Sequence, residues 1–297
     1  TQRVMRAIKD LGYSVNHMAR GLKTSRSFSV GLICPEFVND FYMGVAKGIE
    51  QALKSSQISL MICNSNESAE EEAQRINLLL DKCVDGVIII PASDEGAHFH
   101  RLTEANLPVV VVDRVVRDFT ADAVLVDNSN GAYRAIEQTI NEGFRRIGFI
   151  GGDQRLTSAR ERFEGYRRAL HDYRIDFDPA IERFGNFHTE SGYAMMGELL
   201  RLPDPPPAVF ISNYFMHVGA TRYITEHRAG LPFVPVLIRF DDMELSFALG
   251  YCRMIVRQPI LELGTRAAEL LLARIQGGND APARVVRLKT ELIVRPD

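Results

Sequence analysis

Arg146-Ile147-Gly148-Phe149-Ile150-Gly151-Gly152 stands at the middle of the 297-residue chain, and its reading decides the fold. It is an apolar run that ends on paired glycines, the form of a buried strand closing in a turn. A dinucleotide fingerprint would need the strand before its glycines and a helix opening on the last one. Here the strand runs through the glycine spacing, so the stretch reads as a strand end and turn. What matters is that a pattern of strand followed by helix, already run through once, begins afresh at this point.

Before the restart, residues 30–34, 59–63, 86–90, 107–113 and 123–127 read as strands, with helical spacing over 41–54 and 70–80 and a helix starting near Asn130. After it come helices over 159–170, 191–200 and 218–227 and strands over 208–212 and 236–240. The strands are apolar throughout. Runs of that kind suit strands buried on both faces, hence parallel sheets covered by helices. The fold class expected is α/β, with two lobes of similar size. The proline-rich 203–207 lies inside the second lobe between a helix and a strand, so it reads as a loop and not as a linker.

No apolar run approaches the roughly 20 residues that a membrane helix needs, and the first residues carry no apolar signal core, which leads to a cytoplasmic expectation. Cys34, Cys63, Cys83 and Cys252 form no CxxC pair and read as reduced thiols, with no zinc site. Net charge is −3, yet residues 1–30 carry Arg3, Arg6, Lys9, Arg20, Lys23 and Arg26 against Asp10, so this arm is +5 and the remainder −8. A solvated tail and a nucleic-acid contact both fit such an arm.

Ligands of open α/β sheets bind beyond the carboxyl ends of the strands. Those ends carry Asn39, Phe41 and Tyr42, then Asp113 and Arg114, then Asn213 and Tyr214, then Asp241 and Asp242. Any one of the Asp and Asn residues could simply cap a helix; their joint placement points to a cleft between the lobes. No GxSxG, GxxxxGK[ST] or HExxH motif is present, and His98 and His100 lack a third ligand, so they read as solvated. No catalytic residue, metal or cofactor is expected.

Particular strings carry the reading further. Residues 1–24, Val30-Gly31-Leu32-Ile33, Pro35 to Tyr42, Asp85-Gly86-Val87-Ile88, Val112-Asp113-Arg114, Arg146 to Gly152, Arg162-Phe163-Glu164-Gly165-Tyr166, Phe240-Asp241-Asp242 and Arg257-Gln258-Pro259 together resemble the LacI/GalR repressor family. The resemblance implies two parallel-sheet subdomains arranged as in periplasmic binding proteins and joined by three crossovers. In front it implies a headpiece remnant and hinge helix over 1–27, without the recognition helix. It also implies subdomains of 28–145 plus about 256–280 and 146–255 plus about 281–297. The implied function is that of an effector-responsive, DNA-binding homodimeric repressor, not an enzyme, whose cleft takes a sugar or sugar acid. A solute-binding protein of a transport system is the alternative.

The same resemblance places Arg162 first among the effector-binding residues, followed by Asp241, Asn213, Phe41 and Tyr42, with Asp113, Arg114, Ser158 and Gln258 secondary. It places Tyr13, Asn16, Arg20, Leu22 and Lys23 at the operator, with Leu22 as a minor-groove wedge. The expected dimer interface is built by first-lobe helices, with Val45 and Ile49 as candidates. Several positions depart from the family pattern: Val15 for proline and Gly21 for serine in the hinge, then Tyr214 for aspartate, His217 for alanine, Arg239 for glycine, and 250–254 for a proline-threonine stretch. Arg114, Arg162 and Arg239 near one cleft would favour an anionic ligand.

Overall fold

The computed structural model describes residues 26–243, 251–277 and 281–295. The first sheet is fed by β1 (Ser29–Cys34), α1 (Asp40–Leu53), β2 (Ser59–Asn64), α2 (Ala69–Asp81), β3 (Val87–Ile89), α3 (His100–Glu104), β4 (Val109–Val112) and β5 (Asp122–Val126). The second is fed by α4 (Asn128–Asn141), β6 (Ile147–Gly151), α5 (Thr157–Asp172), β7 (Glu182–Phe184), α6 (Thr189–Leu200), β8 (Ala208–Ile211), α7 (Tyr214–His227), β9 (Val236–Phe240) and β10 (Cys252–Arg257). The chain then returns through α8 (Ile260–Gly277), β11 (Val285–Leu288) and β12 (Glu291–Val294).

Each sheet has six strands, in the orders β11-β5-β4-β3-β1-β2 and β12-β10-β9-β8-β6-β7. All pairings are parallel except β12 on β10. The central strands are apolar because both of their faces are covered: every residue of β1, β4, β5 and β8 is buried. The restart at Arg146 is therefore the first strand of the second sheet.

Three segments cross between the sheets. Asp127 joins β5 to α4, whose Ala132, Ala135 and Ile136 share a core with Phe149 of β6. Gln258 and Pro259 lead from β10 to α8, and Lys289 and Thr290 lead from β11 to β12. Element by element, the division differs from the one expected. α4 lies with the second sheet although it precedes residue 145, and β11 lies in the first sheet although it follows residue 280.

Helix α1 turns its apolar stripe inward. Val45 and Ile49 are fully buried in one core with Leu263, Ala267 and Leu271 of α8. The two helices touch backbone to backbone: a Cβ at Gly48 would lie 2.2 Å from the Leu261 carbonyl oxygen, and one at Gly264 2.1 Å from that of Val45. Val45 and Ile49 are thus core residues and cannot form a dimer surface. Their helical spacing revealed an apolar face but not what that face meets. Among the described residues, no helix is long and apolar enough to cross a membrane.

Candidate functional site

The carboxyl ends of both sheets open on one cavity between the lobes, lined by residues of both. Asn39 caps α1 by accepting a hydrogen bond from the Phe41 amide at 3.0 Å, which sets Phe41 and Tyr42 in the first helical turn. Their rings meet edge to face at 5.4 Å and form an apolar wall. The Tyr42 hydroxyl accepts from Arg114 Nη2 at 3.0 Å and donates to Glu67 Oε1 at 3.4 Å. Arg114 Nη1 also donates to Glu67 Oε2 at 3.1 Å and to the Pro91 carbonyl at 2.8 Å.

Asp113 follows β4 in the left-handed region, at φ 67°, and Asp241 follows β9 likewise, at φ 73°. Few non-glycine residues tolerate that conformation, and it turns each carboxylate off its strand end toward the cavity. Burial pushes the Asp113 carboxyl above its ordinary range, with Arg114 and Arg162 opposing. The Tyr42 phenol is also raised, first by burial.

On the second-lobe side, Arg162 projects from α5. Its Nε donates to Asn128 Oδ1 at 2.9 Å, its Nη1 donates to the Ser212 carbonyl at 2.6 Å, and its guanidinium carbon lies 3.8 Å from the centre of the Phe240 ring. Asn213 caps α7 through the Met216 amide at 3.0 Å, and its Nδ2 donates to the Phe187 carbonyl at 2.9 Å. Asp241 accepts from Gln258 Nε2 and, at 3.3 Å, from the Tyr214 amide. Ser158 lies buried in the first turn of α5.

All nine residues singled out from the sequence for the effector line this cavity. Sequence reasoning missed Glu36, Glu67, Asn186, Phe187, His188 and Phe215, which line it as well. Glu67 lies just beyond the carboxyl end of β2, so the rule that found Asp113 would have found it.

Arg239 does not line the cavity; it is fully buried in β9. His98 is no bystander in solvent either: its Nε2 lies 2.7 Å from Oε2 of the fully buried Glu72. Among the described residues no group of His, Cys, Asp and Glu could hold a metal, and the four cysteines are free. The candidates for the operator, Tyr13, Asn16, Arg20, Leu22 and Lys23, lie outside the described residues.

Three buried polar atoms of the lining residues make no hydrogen bond within the protein: Asp113 Oδ1, Arg114 Nε and Gln258 Oε1. Two acceptors and a donor suit groups that both give and take hydrogen bonds, such as hydroxyls. Four carboxylates face the cavity, from Glu36, Glu67, Asp113 and Asp241, against two guanidiniums, from Arg114 and Arg162.

The family of periplasmic binding proteins and sugar binding domain of the LacI family matches residues 27–226. The ribose operon repressor of Haemophilus influenzae is 30% identical over 94% of this chain and 84% of its own length. The HTH-type transcriptional regulator CelR of Thermobifida fusca is 33% identical over 98% of this chain and 87% of its own. The solved complex of the transcriptional regulator CelR with cellobiose superposes with a TM-score of 0.82 at 31% identity, covering 99% of this chain and 89% of that one. These relatives are transcription regulators and not enzymes. With two α/β lobes in the periplasmic-binding-protein arrangement and relatives at this level of identity, the chain belongs to the LacI family.

Proposed function

We propose that the chain is the effector-binding body of an operator-binding repressor in the cytoplasm, and that its interlobe cavity takes a neutral sugar. The observation that carries this reading is the set of uncommitted atoms Asp113 Oδ1, Arg114 Nε and Gln258 Oε1, set beside the Phe41 and Tyr42 wall. Sugar hydroxyls would satisfy all three atoms, and the apolar face of a pyranose suits an aromatic wall. A sugar acid fits less well. Arg114 is already opposed by Glu67 and Asp113, Arg162 is spent on Asn128 and Ser212, and carboxylates outnumber guanidiniums around the cavity.

The test is a thermal-shift panel of neutral mono- and disaccharides, cellobiose included, alongside sugar acids and nucleobases. A ligand at a hundredfold its Kd stabilises by about 2.7 kcal/mol. Stabilisation by acids alone would sink the neutral-sugar reading.

The basic arm and the relatives favour a regulator over a transport component, and a repressor reading a two-fold operator acts as a homodimer. With Val45 and Ile49 in the core, the surface that fits is the β2 edge and α2, where Met61, Ile62 and Leu78 are exposed. An apolar sheet edge in water is a template for association. Sedimentation of the Met61→Asp/Ile62→Asp variant tests this, and an unchanged dimer would place the interface elsewhere.

A further inference from the structure

Behind the cavity floor lies a cluster that the proposed effector site does not use. Arg239 is two residues before Asp241 in β9, on the strand face that Leu237 turns toward Met216, Ala220 and Ile224 of α7. It is fully buried, and none of its three guanidinium nitrogens makes a hydrogen bond. His217 of α7 is also fully buried with neither ring nitrogen hydrogen-bonded, and the Thr221 hydroxyl, one helical turn on, has no partner either. The Tyr214 ring lies 5.5 Å from the Arg239 guanidinium, on the side toward the first lobe.

A guanidinium keeps its proton even where burial lowers its pKa, as it does here. A buried, uncompensated charge is strongly destabilising, so a counter-charge is required. Among the described residues the carboxylate nearest to it, Asp242, approaches no closer than 3.6 Å and gives its other oxygen to Arg257 Nε at 2.8 Å and Nη2 at 2.6 Å. Cys252 cannot help, because burial pushes its thiol up to about 11. His217 is held neutral, first by burial and then by the guanidiniums around it, so it supplies no counter-charge to Arg239.

We propose that Arg239, His217 and Thr221 form a buried site for one small monovalent inorganic anion of the halide class. Guanidinium N–H, imidazole N–H and hydroxyl O–H are all donors to such an ion. A single negative charge matches the single Arg239 charge, and the surrounding core of Leu237, Met216 and Ala220 offers nothing to balance a multiply charged oxyanion. The site does not depend on the identity of the effector.

Thermal melting of the whole chain in sodium chloride or bromide, against sodium methanesulfonate at equal ionic strength, tests the proposal. The halides should raise Tm by about 2–4 °C in a saturating manner. The Arg239→Met variant should lose that difference, while keeping the volume of the side chain. Crystals of the unaltered chain grown in bromide should show an anomalous peak at hydrogen-bond distance from Arg239, a measurement that does not depend on the variant folding. Equal Tm in methanesulfonate and halide, a halide response that survives in Arg239→Met, or no bromide at Arg239 would each overturn the proposal.

Discussion

The two lobes meet the cavity with polar atoms of different standing. In the second lobe, Arg162, Asn213 and Asp241 are tied into hydrogen bonds within the protein. In the first lobe, Asp113 and Arg114 each keep a buried atom without one. The second-lobe surface is thus fixed in advance and gives the cavity its shape, whereas the first lobe carries atoms that a ligand would complete. Substitution should therefore mainly cost stability on one side and mainly cost binding on the other.

Arg162→Ala should have the largest effect, because it deprives Asn128 and the Ser212 carbonyl of a buried charged donor and uncovers Phe240. The expected cost is about 2–4 kcal/mol of unfolding free energy in urea, together with loss of effector binding by calorimetry. Full stability with lost binding would break the division between the lobes.

The two aspartates give the sharpest contrast. Asp241→Asn should destabilise by about 1–2 kcal/mol, since the carboxylate accepts from Gln258 and the Tyr214 amide. Asp113→Asn should do the opposite. Because burial raises its folded pKa, Asp113 contributes stability that is present below the ordinary carboxylate pKa and is lost as pH rises through the folded value. The variant should be more stable than the parent at neutral pH while binding effector at least about tenfold more weakly. Paired urea melts at acid and neutral pH read out both signs.

Arg160 of α5 reaches across to Asp94 of the first lobe at 3.1 Å, while Asp94 keeps Arg117 at 2.8 Å. Arg160→Ala should therefore cost under about 1 kcal/mol, since the exposed arm of such a pair contributes little. Small-angle scattering should nonetheless find the lobes further apart, and an unchanged radius would remove this contact from the forces holding them.

A further pH-dependent effect is expected far from the cavity. Glu182, on the β7 edge, has a buried oxygen without a partner, and burial pushes its carboxyl up from 4.5 to about 7. Its contribution to stability is present below about 4.5 and lost as pH rises through about 7, so Glu182→Gln should flatten the stability profile in that window. A profile identical to the parent's would show that the side chain is fully hydrated.

Much of this was legible in the sequence because buried parallel strands leave apolar runs, and because strand ends are where an open sheet leaves polar groups unpaired. The nine cavity residues were found by that rule joined to the family strings. Glu67 follows the end of β2 and was within reach of the same rule, whereas the 186–188 segment lies in a loop, where no periodicity marks a direction. Spacing along α1 identified an apolar face but could not distinguish α8 from a second copy as its partner. Arg239 was grouped with the cavity arginines because it neighbours Asp241 in sequence, yet on β9 it lies deeper and is screened by α7 and Tyr214. The small segments that exchange sheets near the end, β11 and β12, have only four residues each and half-exposed patterns, too little for a pattern argument.

Those two short strands govern how the molecule can be made. β11 closes the first sheet by pairing Val285 with Ala123, and β12 closes the second by pairing Val294 with Met254. During synthesis from the amino end, neither lobe can be completed as an independent unit, however early its other strands are released. Until the last residues are available, β5 and β10 are bare sheet edges, and bare edges are what misassembly uses. A chain stopped short of residue 285 would lack the outer strand of both sheets at once, so a late premature stop should send the product to aggregation or proteolysis and not leave one working lobe.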